Sequence, residues 1–546
     1  MSLITRGVSE TQGAPGQAES IRRGTRWGRC IALVVVLGLL VRLGHTLSSG
    51  FPLHDGGLFL VMMQDLQDAH YSLPAFTSYN GGDIPFAYPP LGLYVGAILE
   101  AVTPLSYLDV LRFVPLVVSA LTVGAFVLFA RAYLRSDVER FGAVSTFALL
   151  PGAFVWWIMG GGLTRSFGFF FAVLAIWQLY MLLTTRNRSY AWAFGLFGGL
   201  TVLSHMEAAY FVGLTAIAML LTLGRDRRAV LSCFAGALLA AVISAPWWLT
   251  VIYREGLGAI LGAGNSRPLF GIEAIAARLD FNITEEPLFP VLGVLALVGL
   301  VVCLSRRDWF LPAWVFILWL GAPWIMARVG TVPIALLAGI GFGEVILPLL
   351  ARTSSFIDSR VGGDRNGSPD KLRPLAVVVV GFVFAYAALG SLLATHGLLS
   401  GLSMPERQAM TWVAANTEPS DRFVVVEDRR WWDDSTSEWF PALSGRISVA
   451  TPQGGEWRKS PSFETLTDRY KNLQECGELD ARCLEEWSLE NSISFDYVYI
   501  PKVDLVNVES PRIVGCCSAL RSNLAGSPDY SLVYDGPGAS IYEKIH

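Results

Sequence analysis

His54-Asp55-Gly56-Gly57-Leu58-Phe59 sets a carboxylate and two glycines just after the first long apolar run, Cys30–Leu47. Beyond it, Leu58, Phe59, Met62, Met63 and Leu66 fall at spacings of one, four, five and eight. That pattern predicts a helix with one greasy face, suited to lying along a membrane surface. Asp55 stands at its N-terminal end, where unpaired amides and the helix dipole favour a negative charge. It is therefore either a helix cap or a catalytic carboxylate, with Asp65 and Asp68 on the solvated face.

The whole chain supports a membrane setting for this stretch. With 546 residues, 53% hydrophobic and 16% charged, and a mean hydropathy of +0.47, there is too little polar surface to cover a soluble globule. Apolar runs of roughly 17 to 25 residues, each long enough to cross a bilayer, recur between about 29 and 396. We expect a polytopic α-helical membrane protein with about 11–13 hydrophobic segments over 25–396. Residues 1–24 have no core-forming pattern and are expected to be disordered. From 397 to 546 the apolar runs stop, and 23 acidic residues face 14 basic ones. Nothing in the charge pattern suggests a nucleic-acid partner.

Basic residues set the expected orientation. Arg22, Arg23, Arg26 and Arg29 precede Cys30–Leu47, which reads as a retained signal anchor with its N-terminus inside. Arg131, Arg135 and Arg140, then Arg186 and Arg188, Arg225 to Arg228, Arg306 and Arg307, and 352–373 form the cytoplasmic loops. The opposite loops, with the tail after about 397, face outward. Only one crossing fits between an outward Asp55 and an inward Arg131, so either the short apolar run 89–105 is re-entrant or partly inserted, or both it and 110–130 cross and part of this map is inverted.

Candidate site residues collect in the outward loops. Tyr79-Asn80-Gly81-Gly82-Asp83-Ile84-Pro85-Phe86-Ala87-Tyr88-Pro89-Pro90-Leu91 is a stiff loop that delivers Asp83 and Tyr88 near the first helix. Its prolines suit the first turn of the next helix.

This order of features resembles the polytopic glycosyltransferases of the GT-C fold, among them the protein O-mannosyltransferases and the aminoarabinose transferases of lipid A. The likeness rests on a signal anchor, an outward loop with an early Asp, a juxtamembrane helix, and Tyr88-Pro89-Pro90-Leu91 leading into the next apolar segment. It covers about residues 25–396 and implies a sugar moved from a polyprenyl-phosphate donor to an acceptor hydroxyl of a protein, lipid or glycan at the outer membrane face. In that family the early Asp is taken as the catalytic base, and Asp55 matches it. Many members have Asp-Glu there, whereas Gly56 follows here, so a second carboxylate would come from Asp83 or Glu207.

Such chemistry needs cations for the departing phosphate, and arginine serves because its fork binds two oxygens at once. Arg165, after Gly160-Gly161-Gly162-Leu163-Thr164, is the first candidate, or else a snorkelling interfacial residue. Arg254, Arg267 and Arg328 are similar. His205-Met206-Glu207 interrupts a long apolar stretch, which predicts two short spans meeting outside, either at a functional polar break or as a capped hairpin with both groups merely in water. Six histidines without clustered Cys or carboxylates argue against a zinc site. A divalent cation held by Asp55, Asp83 and Glu207 stays open, and no other cofactor is implied. The stretch Arg254–Pro287 reads as a lid or as a loop with a surface helix at Ile272–Leu279.

The tail reads as an outward α/β domain. Ser403-Met404-Pro405-Glu406 is a capping box opening a helix through about Asn416. Strands are expected at Phe423–Glu427, Tyr497–Pro501, and a hairpin Ser531–Tyr534 with Ser540–Lys544. Cys476, Cys483, Cys516 and Cys517 supply one or two disulfides. Trp431, Trp432, Trp439 and Trp457 stand among acids, as sugar-binding platforms, membrane anchors or core. A lipid-linked glycan transporter or flippase is the alternative function, for which internal repeats would be expected.

Overall fold

A computed structural model describes residues 15–264, 272–279, 283–287, 289–352, 374–394, 398–502, 504–506 and 513–545. The chain is a multi-pass membrane protein with a sheet-containing C-terminal domain. In hydrocarbon every backbone amide must be paired within its own segment, so these apolar runs become helices.

Among the described residues six helices are long and apolar enough to cross a membrane, eight if two bent pairs each count once, with three shorter apolar helices besides. In chain order they begin with α1 (Pro15–Ser48), α2 (Gly57–Asp68), α3 (Leu91–Val102), α4 (Tyr107–Tyr133), α5 (Asp137–Leu149), α6 (Gly162–Thr185), α7 (Ser189–Ser204) and α8 (Met206–Leu223). Then follow α9 (Arg227–Glu255), α10 (Leu257–Gly264), α11 (Ile272–Leu279), α12 (Val291–Ser305), α13 (Phe310–Gly321), α14 (Met326–Val329), α15 (Thr331–Arg352) and α16 (Pro374–Ala394). α1 reaches ten residues back into the stretch whose composition predicts disorder, opening on a proline at its first position. Residues 1–14 and Arg267 lie outside the described residues.

Local signals start several of these helices. Ser106 and Asp109 form a capping box at α4, Ser136 caps α5, and Asp226 caps α9. α3, with 12 residues, is about 18 Å long and falls short of the roughly 30 Å core. Between Asp55 and Arg131, α4 is the helix long and apolar enough to cross a membrane. The arginine-rich turns gather at one end of the bundle, where Arg140 bonds the Leu134 carbonyl and Arg306 pairs with Glu344 at 2.7 Å. The other end holds Asp55.

Two broken segments end there as well. α5 turns by 81° into Pro151–Trp157, and α13 turns by 109° into Pro323–Val329. Pro151 and Pro323 open the short turns after each break, since proline disfavours helix at the residue before it. The breaks carry Trp156 and Arg328 to the Asp55 end. Fully buried Arg42 ties α1 to α5 through the Ala148 carbonyl at 2.6 Å and to α4 through Ser119 at 3.2 Å.

α2 departs from the expectation of a surface helix. Leu58 to Met63 and Leu66 are all buried, because Leu60 and Val61 make its remaining faces apolar too. α3 covers one side, and a helix of the C-terminal domain covers another. The segment after α2 forms the small antiparallel pair β1 (Phe76–Thr77) and β2 (Ile84–Pro85).

The C-terminal domain opens with α17 (Met404–Asn416), whose capping box between Ser403 and Glu406 is formed. It continues through β3 (Arg422–Val425), α18 (Ser435–Ser444), β4 (Ile447–Ser448), α19 (Phe463–Glu475), α20 (Ala481–Asn491) and β5 (Tyr497–Pro501). β6 (Asp504–Val506), β7 (Ile513–Gly515), α21 (Ser518–Gly526), β8 (Tyr530–Asp535) and β9 (Ala539–Lys544) complete it. The main sheet has the order β4-β3-β5-β9-β8, parallel across β4, β3 and β5 and antiparallel through the β8/β9 hairpin. One apolar cluster runs from Leu93, Val110 and Leu163 through α2 to Phe423, Trp439, Phe440 and Tyr499. The domain is therefore packed onto the helices through a shared apolar cluster.

Disulfides join Cys476 to Cys483 and Cys516 to Cys517. Cys476→Ala is expected to destabilise the domain by about 2 kcal/mol, the chain-entropy value for so short a loop. A lower denaturation midpoint would show it, and an unchanged midpoint would contradict it.

Candidate active site

The backbone leading to Asp55 is held on three sides. Ser400 accepts from the His54 amide at 2.8 Å, Leu53 accepts from the Gly160 amide at 2.8 Å, and Trp439 donates its indole N–H to the His54 carbonyl at 3.0 Å. These bonds hold His54 at φ 59°, a left-handed conformation that a non-glycine residue adopts at a cost of about 1 kcal/mol or more.

Asp55 does not cap its own helix. Its carboxylate turns to the start of α6, where Oδ1 accepts from the Gly161 amide at 2.9 Å. Nη2 of Arg165, one turn along the same helix, donates to both oxygens at 2.9 and 2.7 Å. Burial works against the charged carboxylate, but Arg165, then His54 and the Gly161 amide, outweigh it and keep its pKa below the ordinary value.

Two glycines permit this approach. A Cβ on Gly161 would lie 2.6 Å from Asp55 Oδ2, and one on Gly160 would lie 1.8 Å from the Asp55 carbonyl oxygen. Gly160→Ala is expected to cost about 2 to 3 kcal/mol through forced displacement of this backbone. Gly50→Ala, where a Cβ meets nothing within 4 Å, is the control. Equal thermal midpoints for the two variants would contradict the placement of Asp55.

Four further candidates converge here. Burial pushes the pKa of Tyr88 up. Its ring packs 4.9 Å from Phe59 and 5.9 Å from Trp457. His205 forms the extended break between α7 and α8, 6.4 Å from the Tyr88 ring. Burial, with Arg165 and Arg328 nearby, lowers its pKa to about 4, so it is neutral near pH 7. Glu207 opens α8 with Arg328 Nη1 at 3.6 Å. Arg328 lies 4.6 Å over the Trp156 ring, and Arg165 stands 6.0 Å from the same ring.

Several buried polar atoms at this place have no hydrogen-bond partner among the described residues: Arg165 Nε, His205 Nδ1 and both ring nitrogens of His54. Buried donors left open in one cluster mark a place where a ligand can bind.

Asp83 and Arg254 do not join the cluster. Asp83 precedes β2, is exposed, and pairs with Arg458 of the C-terminal domain. Its hairpin is stapled to that domain by Asn80, which exchanges hydrogen bonds with Ser448 at 2.8 and 3.0 Å. Arg254, at the end of α9, gives its donors to the carbonyls of Leu73 and Pro74. Both are loop clamps, because each finds partners close to where its own element ends.

Two cavities adjoin the cluster. The smaller, 170 Å³, is lined by Tyr88, His205, Glu207 and Trp457. The larger, 1540 Å³, opens between α10, α11, the end of α13 and the C-terminal domain, with Trp319, Trp324, Trp432 and Arg430 on its wall. Trp431, Glu456 and Phe463 face both. Asp55 lies on neither wall; Tyr88 lines the smaller cavity, and Arg328 donates to the carbonyl of Trp324 on the larger.

Solved structures with a similar fold exist. The archaeal oligosaccharyltransferase AglB from Archaeoglobus fulgidus, in complex with an inhibitory peptide and a dolichol-phosphate, is similar at 15% identity and a TM-score of 0.55, over 88% of this chain and 70% of that one. ArnT from Cupriavidus metallidurans, bound to undecaprenyl phosphate, is similar at 13% identity and a TM-score of 0.51, over 94% of this chain and 97% of that one. The arabinofuranosyltransferase AftD from Mycobacteria is similar at 15% identity and a TM-score of 0.53, over 95% of this chain and 42% of that one. The chain has the GT-C fold. No protein-family model matches the sequence, and no curated protein matches it.

In this GT-C chain the carboxylates offered to a divalent ion do not form a shared site. Asp55 is held by Arg165, Asp83 by Arg458 and Glu207 by Arg328. Among the described residues no group of three His, Cys, Asp or Glu is placed to hold a metal.

The tryptophans have separate fates. Trp439 and Trp457 are buried in the packing around Asp55 and Tyr88, while Trp431 and Trp432 line the large cavity. Sequence reasoning missed Trp156, which no local pattern distinguishes from an interfacial tryptophan. It missed the role of Glu438 as well. Glu438 Oε2 accepts from the Gly56 and Gly57 amides at 3.2 and 3.0 Å, and Oε1 accepts from Leu58 at 3.0 Å.

Proposed function

We propose that this GT-C chain is a membrane glycosyltransferase that moves a sugar from a polyprenyl-phosphate donor to an acceptor hydroxyl. The acceptor is a protein, lipid or glycan, the C-terminal domain is extracytoplasmic, and the N-terminus is cytoplasmic. The observation that carries this reading is the Asp55–Arg165 pair at the α6 N-terminus, with Arg328 across the same indole and buried donors still open. AglB and ArnT were solved with polyprenyl phosphates, which supports a donor of that class here.

In this mechanism the donor phosphate competes with Asp55 for Arg165. Arg165 Nε and Arg328 face the phosphate oxygens, as guanidinium groups suit bidentate phosphate binding. Asp55, released from its strongest partner, becomes a better base. It takes the acceptor hydroxyl proton as that oxygen bonds to the anomeric carbon, and the bond to phosphate breaks with its electron pair leaving on the phosphate. Tyr88 and His205, neutral at working pH, line the approach and add hydrogen bonds without charge.

The test is consumption of labelled polyprenyl-phosphate hexoses and pentoses in proteoliposomes. Release or transfer of sugar from at least one donor is expected. Failure of every donor in the panel, with folded protein, overturns the reading.

A further inference from the structure

Glu438 lies in α18 of the C-terminal domain, yet its carboxylate caps a helix more than 380 residues earlier in the chain. α2 begins on Gly56 and has no cap from its own side chains. The free amides of its first turn, at Gly56, Gly57 and Leu58, all go to Glu438. Two oxygens serve three donors, which only a carboxylate can do. A glutamine would set an NH2 group against one side of that arrangement.

The sequence around Asp55 is shaped to receive it. Gly56 has φ 139°, a conformation that L side chains rarely adopt, and a Cβ there would lie 3.1 Å from the Trp439 ring. A Cβ on Gly57 would lie 2.9 Å from the Glu438 carbonyl oxygen. That same carbonyl accepts from the Tyr79 hydroxyl at 2.6 Å. The two glycines after Asp55 thus leave room for the Trp439 ring and the α18 backbone that bring Glu438 from the other domain. The two acids feel each other: burial first, and the Asp55 charge second, raise the Glu438 pKa, and the three amide donors pull it back towards the carboxylate.

We infer that Glu438 is a positioning residue of the transfer site, docked from the C-terminal domain onto the start of α2 so that the backbone carrying Asp55 stays aimed at α6. The domain is then part of the catalytic machinery. This rests on the transferase reading above.

The test compares wild type with Glu438→Gln in the full chain, using a labelled polyprenyl-phosphate sugar that wild type consumes. Glu438→Gln is expected to lower kcat about tenfold or more while the donor KM stays within twofold, since Arg165 and Arg328 are untouched. Wild-type kcat in the folded variant overturns the inference. Amide hydrogen exchange over Phe51–Leu60 is measured on the same samples. Faster exchange in Glu438→Gln supports the positioning role, and unchanged exchange overturns it. If wild type consumes no donor, the transferase reading has failed, and the exchange arm alone decides whether Glu438 holds the loop. Should Glu438→Gln not fold, Tyr79→Phe, which removes the bond to the Glu438 carbonyl, is expected to lower kcat two- to threefold at unchanged KM. An unaltered kcat there overturns the inference.

Discussion

Asp55→Asn is expected to lower sugar release from the donor by about a hundredfold or more. Asparagine keeps the shape of the side chain, and its carbonyl oxygen can still accept from the Gly161 amide, so the fold is retained. What is lost is the charge that takes the acceptor proton. Arg165 loses its partner at the same time and is left freer for the donor phosphate. The loss therefore falls on kcat, and the donor KM does not rise. A single-turnover measurement with labelled donor separates the two. A variant that binds more weakly but reacts at the wild-type rate would assign Asp55 to donor binding and remove it as the base.

Arg165→Met is expected to lower kcat/KM by about a hundredfold, the order of magnitude for removing one donor that stabilises charge in the transition state. Two effects combine. The donor phosphate loses a bidentate partner, which raises KM. Asp55 loses the interaction that offsets its burial, so its pKa rises and its ionised fraction falls at a given pH. The pair makes a further prediction through non-additivity. Asp55→Asn combined with Arg165→Met leaves no unmatched buried charge, so the double variant should be more stable than Arg165→Met alone while remaining inactive. Thermal midpoints of the three variants check this. A double variant less stable than both singles would contradict the direct pairing.

What the sequence made legible was mostly local. The Ser403–Glu406 capping box and the helix to Asn416 are as expected, because the signal lies within four residues. The strand Tyr497–Pro501 and the hairpin ending in Ala539–Lys544 follow from short alternating patterns and a glycine-proline turn. The α11 helix falls at Ile272–Leu279 as read. Strand β3 ends at Val425, two residues before the expected boundary.

Legibility fails where a partner is remote. Asp55 at a helix start reads as a cap, but the capping carboxylate comes from Glu438, and no spacing rule links the two. Glycines before Arg165 read as room for a ligand, and they instead give Asp55 and Arg165 room for each other. Asp83 and Arg254 read as site residues from their outward position alone. Their partners, Arg458 and the carbonyls of Leu73 and Pro74, are tertiary choices. The break at His205 between two apolar helices was legible because polar residues inside an apolar run are costly there.

The measurement that tests the central claim most directly follows sugar and lipid together. Proteoliposomes with a labelled polyprenyl-phosphate sugar in one leaflet are assayed for free or transferred sugar and for movement of intact donor between leaflets. Transferase action predicts loss of sugar from the lipid, dependent on Asp55, with no intact donor crossing. Intact donor that crosses the bilayer while its sugar stays attached, unaffected by Asp55→Asn, would contradict the account and mark the chain as a translocator.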